Sequence, residues 1–152
     1  MAATDPPAVR PAMAGSRWEL YPHGADIGVR GIGPTMETAF EQIALALTAA
    51  VTDPKEVRRR ERIDVALEEI DPELLLVKWL NAVVLEMAIR GMLFGRFSVR
   101  INGGKLQAEI WGERVNVPRH DPAVEVKGAT LTDLKVGQQP DGYWIAQCII
   151  DV

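Results

Sequence analysis

At 152 residues, 47% hydrophobic and 25% charged, the chain has the size and composition of one soluble domain, able to bury a core without disulfides or zinc. No apolar run approaches the roughly 20 residues of a membrane-spanning helix, so no membrane association is expected. Its one cysteine, Cys148, excludes an internal disulfide and a cysteine-built zinc site and fits a reducing cytoplasm, while a net charge of −4 argues against a protein that binds nucleic acid by itself.

Residues 1–16 are rich in Ala and Pro, with neither a basic start nor a continuous apolar stretch, and read as a disordered tail ahead of a single domain spanning 17–152. Trp18 to Tyr21 and Ile27 to Ile32 read as short strands. Pro34 and Thr35 open a helix whose stripe of Met36, Ala39, Phe40, Ile43, Ala44, Leu47 and Val51 must bury against a sheet, with Glu37 in the first turn where the helix dipole favours an acid. A strand is expected near Ile63 to Leu67. Asp71 as N-cap and Pro72 at the first helical position start a second, more apolar helix that Gly91 can end in the left-handed conformation. From Phe94 the apolar period becomes two, and "NGGK" supplies a hairpin turn into Leu106, Ala108 and Ile110. Further strands are expected at Val115 and Val117, at Val124 and Val126, at Leu134 and Val136, and over Tyr143 to Ile150. The whole predicts an α+β fold of two helices packed on a mixed, mostly antiparallel sheet.

Two acids stand at the ends of apolar strands: Asp26 in "HGADIGVRG" and Asp151 in "CIIDV". An acid at a strand end usually only meets water, but the first and last strands of a small sheet are often neighbours. If these two meet, their repulsion calls for a proton or a cation between them. Two carboxylates with a main-chain or terminal oxygen of Val152 make an oxygen-only set, suited to Ca²⁺ or Mg²⁺ and not to zinc. A P-loop, a Gly-rich dinucleotide fingerprint and a Gly-x-Ser-x-Gly elbow are all missing from the sequence.

"HGADIGVRG", "LLLVKWLN", "AEIWGERV", "EVKGAT" and the closing "IIDV" occur in the order of the archease family, which the chain strongly resembles from Trp18 to Val152. It departs from the usual pattern at Gly24, where the family has Thr, in the less acidic "NAVVLE", and at Leu131, where an aromatic is usual. The resemblance implies a non-catalytic factor that activates an RtcB-type RNA ligase, promoting its guanylylation by GTP and repeated turnover in tRNA splicing and RNA repair, with RNA met only through the ligase. It also implies a divalent-metal site, with Ca²⁺ as the ion, at Asp26, Asp151 and Val152. His23 is a candidate for orienting Asp26, Lys127 for pairing with a phosphate or an acid, and the loop residue His120 for touching the partner. The run Lys55, Arg58, Arg59, Arg60 and Arg62 reads as a solvated face diluted by Glu56 and Glu61. Two rival readings are a structural metal-binding module that chaperones RNA-processing enzymes and a metal-dependent phosphoryl-transfer enzyme using Asp26, Asp151 and Lys127.

Overall fold

The computed structural model describes residues 15–152; the tail expected from the sequence lies, up to residue 14, outside the described residues. Strands β1 (Arg17–His23) and β2 (Asp26–Gly33) form a hairpin, followed by helix α1 (Met36–Val51). Thr35 caps α1 through a reciprocal box with Thr38, so the start that Pro34 and Thr35 signalled is closed at both orphan amides. A short 3₁₀ turn (Pro54–Glu56) leads into β3 (Glu61–Glu68). Asp71 caps α2 (Pro72–Arg90) by accepting from the Glu73 and Leu74 amides, and Gly91 ends it at φ 61°. Then come β4 (Met92–Asn102), β5 (Lys105–Arg114), the single helical turn α3 (Val117–His120), β6 (Gly128–Ala129), β7 (Lys135–Gln138) and β8 (Trp144–Asp151).

The α+β expectation holds, with the strands divided between two sheets and every pairing antiparallel. Sheet A runs β1-β2-β8-β6, with β7 also on β8; sheet B runs β3-β5-β4. Helix α1 lies on one face of sheet A, where Gly31 of β2 lets it approach so closely that a Cβ there would overlap the Ala39 carbonyl and the Ile43 amide. It also covers β4 of sheet B, where the Thr48 hydroxyl donates to the Phe94 carbonyl (2.7 Å) and Glu41 accepts from the Val99 amide (2.9 Å). Those polar groups of the strand edge thus find partners without a further strand. Helix α2 joins the same core through Trp79, whose indole N–H donates to the Phe40 carbonyl and whose ring meets Phe97 edge-on at 6.0 Å. Cys148 is fully buried in β8, where it packs in the core, and burial pushes its thiol up to about 12.

The strands expected at Val115 with Val117 and at Val124 with Val126 do not form. Asn116 accepts from the Arg119 amide and starts α3, Asp121 follows at φ 47°, and Pro122 keeps the chain out of a ladder. Val117 is left exposed, while Val126 is buried without being in a strand. Among the described residues, no helix is long and apolar enough to cross a membrane.

Candidate functional site

The β1–β2 hairpin closes with His23 facing Asp26 across Gly24 and Ala25, and Gly24 takes the left-handed φ of 58° that this turn requires. On the other side of β2, Ile27 pairs with Ile150 of β8. One step further along that register, Asp26 comes opposite Asp151. The two acids singled out in the sequence therefore share one end of sheet A, because β8 inserts beside β2. The Val152 amide donates to Asp26 Oδ1 at 3.4 Å, fixing that carboxylate against the strand end.

A third segment backs Asp151 from its far side. The Lys127 amide donates to the Asp151 carbonyl (2.8 Å), Gly128 pairs with Asp151, and Asn81 of α2 accepts from the Ala129 amide (2.8 Å). Asn81, Val84, Leu85 and Ala88 of α2, with Lys127 and Asp151, line an open groove between Asp151 and the helix. Leu85 (55% exposed) and Ile89 (64%) stand bare on α2, as does Leu131 (65%) beyond β6. The role of Asn81 as the bridge between α2 and the Asp151 support depends on a contact that helical periodicity cannot encode.

The donor set is all oxygen. Asp26 Oδ2 and both Asp151 carboxylate oxygens have no hydrogen-bond partner among the described residues, and Asp151 is exposed. These residues fit a hard cation bound by two carboxylates, main-chain oxygen and water. No cluster of three or more His, Cys, Asp and Glu side chains able to hold a metal occurs among the described residues, so the pair would work without a third protein carboxylate or imidazole. His23 is exposed across the hairpin and its imidazole makes no hydrogen bond to the Asp26 carboxylate; Lys127 is exposed on the groove.

His120 belongs to a different cluster. It is 3% exposed, its Nδ1 accepts from the Asn116 amide (2.8 Å), and Nε2, which must then carry the proton, donates to Glu113 Oε2 (3.0 Å). Its backbone carbonyl accepts from Thr52 Oγ1. The expected exposed loop histidine is thus a buried member of a structural network. Its centre, Glu113, also accepts from the Arg58 amide and from Arg119 Nη2, both at 2.8 Å. Burial pushes the Glu113 carboxyl up, but these hydrogen bonds and the Arg119 charge outweigh it and hold the group down at about 2.

Replacing Asn81 with Ala is expected to cost about 1 kcal/mol, the net worth of one hydrogen bond, and to speed hydrogen exchange at the Ala129 amide while leaving amides in β4 unchanged.

Fold and site together define an α+β protein whose distinguishing chemical feature is a carboxylate pair at adjoining strand ends. Residues 18–152 match the model of the Archease protein family (MTH1598/TM1083). Protein archease of Thermococcus kodakarensis is 43% identical over 140 residues, covering 90% of this chain and 99% of that protein; the Pyrococcus furiosus protein archease is 39% identical over the same shares. The solution structure of Methanobacterium thermoautotrophicum protein 1598 superposes with a TM-score of 0.78 at 28% identity, covering 89% of this chain and 98% of that one. The chain belongs to the archease family.

Proposed function

We propose that this protein is a cytoplasmic, non-catalytic accessory factor that activates an RtcB-type RNA ligase, promoting its guanylylation by GTP and its multiple turnover, through the acidic end of sheet A. The observation that carries the reading is the β2–β8 register, which sets Asp26 and Asp151 side by side, with three of their four carboxylate oxygens unpaired among the described residues. Family membership supports the partner, and the bare side chains of α2 beside Asp151 supply an apolar wall for it.

Asp26, Asp151 and a main-chain oxygen of Val152 would hold a divalent cation, with Ca²⁺ suited to the oxygen donors. Bound there, such an ion would neutralise the paired carboxylates and offer positive charge to oxygen ligands of a partner. The protein's own share is positional: the Val152 amide orients Asp26, and the Lys127 amide, Gly128 and Asn81 keep the Asp151 strand end in place. Activation of the ligase can be no larger than this protein's preference for the ligase's competent state, about 1.4 kcal/mol for each tenfold.

The test is multiple-turnover joining of RNA ends by the cognate ligase with GTP, comparing no addition, the wild-type protein and Asp26→Ala/Asp151→Ala. Stimulation by wild type and none by the folded double variant is expected; equal stimulation by both overturns the reading. Separately, excess calcium should raise the unfolding free energy of the wild-type protein, by about 2.7 kcal/mol at a hundredfold excess over its dissociation constant, and leave the double variant unmoved in a thermal melt.

A further inference from the structure

Most of the chain's arginines gather on sheet B and the turn beside it, although the whole chain carries a net charge of −4. Arg58, Arg60, Arg114 and Arg119 line an open cleft. Two carboxylates share it, Glu61 at the rim and Glu113 beneath. Glu113 is 5% exposed and already committed to Arg119, His120 and the Arg58 amide, with Arg60 Nε at 3.7 Å. The side chains of Arg58 and Arg114 have no ion pair among the described residues, so the cleft keeps a surplus of exposed guanidinium groups.

The cleft lies at one end of sheet B, next to the face of the sheet that turns away from the core. There the strand register sets Arg62 of β3, Trp111 of β5 and Arg96 of β4 in one row, one residue out of step with Ile63, Ile110 and Phe97, which face inward. The Arg96 guanidinium lies over the Trp111 ring at 4.7 Å, and Arg62 pairs with Asp64 at 3.2 Å. Guanidinium forks match the paired oxygens of phosphate, and a partly exposed indole beside them gives an unpaired base a surface to stack on. An acidic protein segment would use the charges but not the indole.

We infer that this end of sheet B is a contact surface for single-stranded RNA, with Arg58, Arg60 and Arg114 reading the phosphates and Trp111 supporting a base. The low net charge that argued against nucleic acid averages over the whole chain, whereas this cleft holds four guanidinium groups against two carboxylates. The surface lies on sheet B, apart from the acid pair of sheet A, and stands or falls independently of the ligase reading.

The test titrates the full chain, without ligase, into fluorescently labelled single-stranded RNA at low salt and follows anisotropy. Wild type should bind. Arg58→Glu/Arg114→Glu should weaken binding about tenfold or more and flatten the salt dependence, by roughly 0.7 in log–log slope for each phosphate no longer neutralised. Trp111→Leu should weaken binding to RNA several-fold while leaving binding to polyglutamate unchanged. Amide shift mapping on the wild-type protein needs no variant and should place the RNA on β3, β5 and the 112–119 segment. Absence of binding, equal binding by the charge-reversed variant, shifts confined elsewhere, or polyglutamate binding as tightly as RNA each overturns the inference, the last by making the cleft a dock for acidic protein.

Discussion

Glu113→Ala is expected to lower the stability of the fold by about 3–5 kcal/mol, the range for removing one partner of a buried charged network. The variant strips acceptors from three donors at once: the Arg58 amide, Arg119 and the Nε2–H of the buried His120. Glu113→Gln keeps an oxygen for these donors and loses only charge, so it should fall between wild type and Ala in urea unfolding. The same group makes stability depend on acid. Its carboxyl titrates near 2 in the folded chain against an ordinary 4.5, so the folded state gains from its ionisation. That gain, at most about 3 kcal/mol, is complete above pH 4.5 and is lost as pH falls from 4.5 through 2. Unfolding free energies measured down this range should fall less steeply for Glu113→Gln than for wild type; parallel curves would remove Glu113 from the account.

Gly31→Ala should cost about 3 kcal/mol, at the upper end for an overpacked core. Adding one methyl on β2 puts it into the main chain of α1 at Ala39 and Ile43, and a helix backbone cannot rotate aside as a side-chain tip can. The helix must lift from sheet A, loosening the packing around Phe40 and Ile43, both fully buried. Gly137→Ala on β7 serves as the control, since a Cβ there meets nothing within 4 Å; it should leave the urea midpoint nearly unchanged or slightly raised. Similar midpoints for the two variants would mean that α1 is not held by the closeness of Gly31.

The features legible in the sequence were those written in local chemistry. Asp71, Pro72 and Gly91 marked both ends of α2, and the Asn102–Lys105 turn marked the β4–β5 hairpin. The pairing of Asp26 with Asp151 was legible as a possibility, and the β2–β8 register brings their strand ends together. What stayed hidden depends on distant partners. Alternating valines at 115–117 and 124–126 resembled strands because pattern alone does not reveal that Asn116, Asp121 and Pro122 bend the chain between them. His120 read as a loop residue because its partners Glu113 and Thr52 come from other elements. The arginine surface was diluted in the linear run by Glu56 and Glu61; only the sheet register brings Arg62 beside Trp111 and Arg96.

Strand β8 pairs with β2, β6 and β7, yet among the described strands it is the last to be made. During synthesis the β1–β2 hairpin must therefore wait until Trp144–Asp151 has been made before gaining its central neighbour. A product cut short before Trp144 would hold Asp26 on an unsupported hairpin and no second acid at all. The acid pair is thus displayed only by chains in which β8 has been made and has docked on β2, so any partner that reads the pair also reads whether sheet A has assembled.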